Sequence, residues 1–206
     1  MDRMIFWTNP MSRGRIVRWM LEECDADYDT RVVSYGAEMK SASHTALNPM
    51  GKVPVIQQGD TVVTECAAIC CWLAETYPQA GLIPAPTTRG PFYRWMFFAA
   101  GPVEAAVTAA SFGFDPADAE SAQRAGWGRM SDVADTLAGL VADGRTWLLG
   151  DRFSALDVYL GSQIMWGCRF GTLPERPGFD AYVDRITTRP AFLRAQALDD
   201  ALASPA

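Results

Sequence analysis

A single histidine, His44, stands in 206 residues. That scarcity rules out most metal sites and most triads built on imidazole. Lysine is nearly as rare. Lys40 and Lys52 are the only two, both in the first quarter of the chain, against 16 arginines. The five cysteines (Cys24, Cys66, Cys70, Cys71 and Cys168) are odd in number and irregular in spacing, with no C-x-x-C pair. This is neither a disulfide framework nor a zinc ligand set, and it fits a reducing compartment. Cys24, Cys70, Cys71 and Cys168 read as small buried hydrophobes. No apolar run approaches the length of a bilayer span. Met1–Thr8 contains Asp2 and leads straight into folded-looking sequence, so neither a signal peptide nor a membrane anchor is expected, and the expected location is cytoplasmic. Surplus positive charge is missing too: the formal net charge is −6. Nucleic acids and anionic membranes are poor partners for such a surface.

What remains is an ordinary globular composition, 49% hydrophobic and 20% charged, long enough for one large domain or two small ones. Strand and helix signals alternate through the first eighty or so residues. Met4–Thr8 is a short apolar β run, and Arg13–Cys24 carries apolar residues at the helical period. Tyr28–Ser34 alternates as a strand does. Val53–Gln57 and Thr61–Thr64 read as a hairpin around Gly59-Asp60, and Glu65–Tyr77 as a helix stopped by Pro78. Gln79–Pro91 is rich in Pro, Gly and Thr and reads as a linker. Every later periodic segment is helical: Phe92–Ala110, Ala119–Asp143, Ser154–Phe170, Phe179–Thr188 and Ala191–Ala203. Ser154 and Asp157 are spaced as a capping-box variant. The expected division is residues 1–79, a linker at 80–91, and an all-helical domain at 92–206.

Two segments concentrate unusual chemistry. In Asn48-Pro49-Met50-Gly51-Lys52-Val53-Pro54-Val55-Ile56, Pro54 cannot donate to a sheet ladder and belongs at a strand start or edge. On pattern alone the Val53–Pro54 bond is trans, because only about 5–6% of X–Pro bonds in folded proteins are cis. Eleven residues on, Thr64-Glu65-Cys66 carries a strand end into a helix whose free N–H groups form an anion site. Taken by itself, that segment is better explained by Thr64 as a plain cap and Glu65 as a dipole partner.

In this order and spacing, Val53-Pro54, Glu65-Cys66 and Ser154–Asp157 resemble the glutathione transferase family over the whole chain. The resemblance implies an α/β plus all-α protein: a thioredoxin-like N-terminal domain, here 1–79, followed by an all-helical C-terminal domain. It implies a cis Val53–Pro54 bond, with the Val53 backbone pairing with the cysteinyl unit of glutathione. Glu65 and Cys66 match positions that hold the γ-glutamyl amine and carboxylate. Lys40 and Lys52 match positions that meet the glycyl carboxylate and peptide backbone in phi- and theta-like members. Two ammonium groups and a helix N-terminus suit a peptide that carries two carboxylates.

Asn9-Pro10-Met11-Ser12 resembles the segment that sets a catalytic serine at the start of the first helix in serine-type members. Ser12 is therefore the expected donor to the glutathione sulfur. Its role as a simple cap is compatible with the same position, and Thr8 and Asn9 stay as alternative donors. Cys66 stands where the family usually has serine and is read as a substituent of the ligand site rather than the nucleophile. Met11, Phe97, Glu104, Thr108 and Trp166 are expected to wall an electrophile pocket between the domains. The implied protein is a cytoplasmic homodimer that adds glutathione, its co-substrate, to a small hydrophobic electrophile without a metal. Isomerase or dehalogenase chemistry at the same site and a non-enzymatic scaffold are the rival readings.

Overall fold

A computed structural model gives the structure for residues 2–142 and 144–203. Four short strands make one sheet: β1 (Met4–Thr8), β2 (Tyr28–Val32), β3 (Val55–Gln58) and β4 (Thr61–Thr64), in the spatial order β2-β1-β3-β4. β1 pairs parallel with β2 and antiparallel with β3, which pairs antiparallel with β4. In β1, Met4, Phe6 and Thr8 are buried and alternate with half-buried Ile5 and Trp7. Pairing of Trp7 with Val55, and of Val55 with Thr64, sets three chain ends at one edge of the sheet. These are the exit from β1, the entry to β3 and the exit from β4.

Helices α1 (Gly14–Glu23), α2 (Ala42–Leu47) and α3 (Cys66–Thr76) complete this part. The thioredoxin-like order β-α-β, connection, β-β-α is as expected. Residues 42–47 carried no helical signal, because the segment is short and mostly polar. Its start is closed locally, with Ser41 Oγ accepting from His44 N at 3.3 Å. The sequence starts the β3 strand at Val53, but the ladder opens at Val55; Pro54 has no N–H to give it.

The chain forms two compact units, Met1–Leu82 with Arg189–Ala206, and Ile83–Thr188. The last helix, α10 (Pro190–Ala203), thus packs with the first unit, whereas the sequence grouped it with residues 92–206. Trp19 on α1 meets Phe192 on α10 edge-to-face, with ring centroids 5.0 Å apart. Beside them, the buried Arg18 donates to Asp199 Oδ1 at 2.7 Å and to Tyr28 and Thr30 at 3.2 and 3.1 Å. Burial pushes the Asp199 carboxyl up, while the adjacent guanidinium pulls it down. Three partly exposed pairs flank this one: Arg15–Asp200, Arg189–Glu23 and Arg194–Glu22.

The second unit contains α4 (Arg89–Phe98), α5 (Glu104–Ser111), α6 (Ala119–Arg124), α7 (Met130–Val141), α8 (Ala155–Phe170) and α9 (Phe179–Thr187). Two expected helices are each divided. Residues 92–110 are interrupted by a π-helical turn, Ala99–Val103, around Pro102; proline lacks the N–H that the α ladder needs there. Residues 119–143 break at 125–129, where Gly128 adopts φ +70°. α7 restarts with Arg129 N donating to Asp132 Oδ2 at 3.0 Å and Met130 N to Asp115 Oδ1 at 3.1 Å. Asp143, the expected end of that helix, lies outside the described residues, as do Met1 and residues 204–206 of the expected domains.

The capping box at α8 is present. The fully buried Asp157 carboxylate accepts from Ser154 N and Oγ through one oxygen, and from Leu148 N and Tyr182 Oη through the other. Burial pushes this carboxyl up, against the pull of those four donors.

Candidate active site

The loop leaving β1 holds Ser12, and nearly every polar atom around it is committed. Asn9 Nδ2 donates to Val33 O at 3.0 Å, and Asn9 Oδ1 accepts from Met11 N at 2.9 Å. Ser12 Oγ donates to Asn9 O at 2.7 Å and accepts from Gly14 N at 2.9 Å, so the hydroxyl caps α1 two residues before its first helical residue. Asn9 O also accepts from Ser12 N at 3.1 Å. The next two carbonyls are held from further away: Pro10 O by Arg15 Nε at 2.6 Å and Met11 O by Tyr35 Oη at 3.0 Å. Such a loop is rigid before any ligand arrives, which is what a positioned donor requires.

The alternative donors fare differently. Thr8 is fully buried, and its Oγ1 has no hydrogen-bond partner. It is packed so tightly under α1 that a Cβ on Gly14 would clash with it. Asn9 has both ends of its amide engaged in holding the loop.

At the entry to β3 the Val53–Pro54 bond is cis. The residue before it is fixed by two side chains that sequence reasoning passed over. His44 Nε2 and Asn48 Nδ2 both donate to Lys52 O, each at 3.0 Å. A carbonyl can only accept, so His44 carries its proton on Nε2 in this contact. His44 and Asn48 are buried, while the Lys52 side chain is exposed. The lone histidine thus serves as an anchor. Its only signal in the sequence was its closeness to the Asn48–Ile56 motif.

Lys40 comes to the same loop. It lies across Gly51, where an added Cβ would be 2.8 Å from its Cδ, and Nζ donates to Met50 O at 2.7 Å. Gly51 also has φ +56°, so glycine is required there twice over. Both lysines therefore belong to one stretch of surface around residues 50–52.

At the exit from β4, Glu65 is exposed and has φ 65° and ψ 117°, a conformation rarely adopted by a residue with a side chain. Backbone strain of this sort costs about 1–3 kcal/mol and concentrates at functional sites. Glu65 places no side-chain cap on α3, so the first-turn amides of that helix receive none from it. Cys66, nearly buried, directs its thiol to Arg13 O at 3.8 Å and so ties the start of α3 to the serine loop. Its hydrogen bond with Cys70, together with burial, pushes the Cys70 thiol well above the ordinary range. Burial likewise raises the Cys24 thiol to about 12 and that of Cys71 to about 11.

The first unit thus brings together Ser12, the Lys40–Pro54 region and Glu65-Cys66 at one sheet edge. Met11 is strongly exposed on the serine loop. Phe97, Glu104, Thr108 and Trp166 belong to the second unit. There Phe97 and Thr108 are exposed, Trp166 is half-buried, and Glu104 Oε1 accepts from Gln163 Nε2 at 3.0 Å.

Residues 11–76 match the model of the glutathione S-transferase N-terminal domain. Glutathione S-transferase 1 of Schizosaccharomyces pombe is 36% identical over 39% of this chain, a stretch spanning 38% of that protein. Glutathione S-transferase GST-4.5 of Xanthomonas campestris is 29% identical over 73% of this chain and 76% of its own. The crystal structure of the theta class glutathione S-transferase from Xanthomonas axonopodis, with glutathione bound, superposes with a TM-score of 0.74. It is 28% identical and covers 95% of this chain and 97% of its own. Over most of its length the chain is similar to glutathione S-transferases, and its first unit matches the N-terminal domain of that family. Within the same set, maleylacetoacetate isomerase of Pseudomonas aeruginosa is 29% identical over 78% of both chains. Among the described residues, no group of three or more His, Cys, Asp or Glu side chains could hold a metal ion. No described helix is long and apolar enough to cross a membrane.

Proposed function

We propose that the protein binds glutathione at the sheet edge formed by the exits from β1 and β4 and the entry to β3, and transfers its thiolate to a small hydrophobic electrophile. The convergence of Ser12, Val53-Pro54 and Glu65-Cys66 on that edge, through the Trp7–Val55–Thr64 register, carries this reading. The Val53 backbone pairs with the cysteinyl unit. The uncapped start of α3, with Glu65 and Cys66, receives the γ-glutamyl end. Lys40 and Lys52 meet the glycyl carboxylate; Lys40 uses one of its three N–H groups on Met50 O and keeps two for a ligand.

Ser12 is the thiol-polarising donor of a serine-type site, as in phi- and theta-like members. Its oxygen need not move. Rotation about Cβ–Oγ swings the hydrogen from Asn9 O to the sulfur while Gly14 N continues to donate to Oγ. Asn9 O is not left bare, because Ser12 N still donates to it at 3.1 Å. A cysteine thiol of pKa about 8.5 is only about 3% ionised at pH 7, so lowering it by about two units makes the thiolate the major form. Met11, on the serine loop, is the proposed electrophile contact of the first unit, Phe97, Glu104, Thr108 and Trp166 are proposed electrophile contacts of the second, and the working form is a cytoplasmic homodimer.

The kinship to maleylacetoacetate isomerase supports a second use of the same thiolate. It adds reversibly to a conjugated cis double bond, lets the bond rotate, and leaves again. Turnover with glutathione against aryl halides, alkyl halides, epoxides and a cis-dienoic diacid tests both. Conjugate formation with at least one of the first three is expected. Isomerisation alone would replace the first reading with the second, and no turnover with any would remove both.

A further inference from the structure

Arg15 is the second residue of α1, three residues after Ser12, with its side chain 24% exposed. Its Nε donates to Pro10 O at 2.6 Å, and its Nη2 meets Asp200 Oδ1 on α10 at 2.8 Å. Both helices belong to the same compact unit. Nε and Nη2 form one edge of a planar, rigid guanidinium, so a carboxylate that fixes Nη2 also fixes where the Nε–H points. One edge therefore spans a carbonyl of the serine loop and an acid of the last helix.

Neighbouring contacts make the stabilising role of this pair dispensable. α10 is already fixed to α1 by the fully buried Arg18–Asp199 pair, with Arg18 three residues after Arg15 and Asp199 next to Asp200, and by Trp19 against Phe192. Asp200 is 65% exposed, and ion pairs of that kind add little to stability. What Arg15 does uniquely is hold the Pro10 carbonyl. The peptide plane of Pro10–Met11 is the last rigid unit before the Met11–Ser12 peptide, so its tilt sets where Ser12 Cα and Oγ stand. The carbonyls on either side, Asn9 O and Met11 O, have their own donors in Ser12 and Tyr35. Pro10 O is held by Arg15.

We propose that Arg15 and Asp200 are positioning residues for glutathione activation: the carboxylate on α10 orients the Arg15 edge, which holds the serine loop at the geometry that presents Ser12 to the thiol. The inference rests on the reading of Ser12 given above. Asp200 touches no reacting atom and acts through Arg15.

The test compares Asp200→Asn, Asp200→Glu and Arg15→Lys with Ser12→Ala in the full chain. Each is measured for thermal stability, for the pH titration of bound glutathione thiolate by absorbance, and for kcat and KM. Asp200→Asn is expected to melt like the unsubstituted protein and to bind glutathione with unchanged KM. Its thiolate titration should move to higher pH, and kcat should fall by roughly threefold to tenfold, below the ~10²-fold that a badly misplaced reacting group costs. Arg15→Lys keeps the charge but not the planar edge, and should do the same. Asp200→Glu should restore both readouts. If Ser12→Ala shifts the titration and Asp200→Asn does not, the positioning role is overturned and the serine reading stands. If Asp200→Asn shifts it and Ser12→Ala does not, positioning stands and acts through the loop amides, while the serine reading falls. A shift in neither variant overturns both.

Discussion

The Ser12 hydroxyl donates to the carbonyl of Asn9, 2.7 Å away. Its only proton is thus already in use, and thiol activation by Ser12 as proposed amounts to an exchange of acceptors. A thiolate competes well with a neutral carbonyl, because hydrogen bonds to charged partners are about twice as strong as neutral ones. A neutral thiol, or a thioether, does not.

Ser12→Ala is therefore expected to leave the binding of S-alkylated glutathione nearly unchanged. The titration of bound glutathione thiolate should move to higher pH, and kcat should drop by one or more orders of magnitude, with ~10²–10³-fold for an oxyanion donor as the upper guide. Because the same hydroxyl caps Gly14 N, the variant should also lose about 1 kcal/mol of stability. Stability loss with an unmoved titration would reduce Ser12 to a cap.

Gly14→Ala tests how tightly α1 rests on β1. A Cβ there would clash with Thr8 Oγ1, and a threonine at the end of a strand has little rotamer freedom to retreat. We expect destabilisation of about 1–3 kcal/mol by overpacking, read as a lower urea midpoint at constant m. An unchanged midpoint would mean that the hydroxyl moves aside at no cost.

Replacing Lys40 or Lys52 by Met should weaken glutathione binding by about 1–3 kcal/mol each, the range for hydrogen bonds to charged groups. Folding should be unaffected, since both side chains lie at the surface. Calorimetry on the double variant is the measurement, and wild-type affinity there would make both lysines ordinary surface charges.

Asp157→Asn should be costly, for a reason specific to this site. Each carboxylate oxygen takes one backbone N–H and one hydroxyl. An amide offers a single oxygen, so either Leu148 N or Ser154 N must face an NH2 group. A loss of about 1–3 kcal/mol for the orphaned donor is expected from urea denaturation. Equal stability of variant and parent would contradict the bonding scheme.

Much of this was legible from residues alone, though unevenly. Val53-Pro54 and Glu65-Cys66 could be placed because their order along the chain is distinctive, and the strand periods locate them at one end of a sheet. Helix continuity was harder to read. Pro102 and the Gly126-Trp127-Gly128 run sit inside apolar patterns that continue in phase on both sides, so periodicity joined what the backbone divides. Arg15 and His44 were missed for a related reason. Each acts by donating to a carbonyl several residues away, and such a contact leaves no spacing signature. The pairing of α10 with α1 rests on charges far apart in the chain, Arg18 with Asp199 across 181 positions, which only the folded structure brings together.

That last pairing has a consequence for how the chain matures. The buried face of α1, with Trp19 and the Arg18 guanidinium, is finished only by Phe192 and Asp199. Until the polypeptide has been made through that helix, the unit encoded first keeps an unclosed apolar flank and an uncompensated buried cation. A nascent chain stopped near residue 180 would hold a complete set of strands and still lack the helix that closes over them. Contacts of such long sequence separation form late and slowly, and exposed apolar surface in the interval invites aggregation. The unit that carries the sheet is thus started first and completed last.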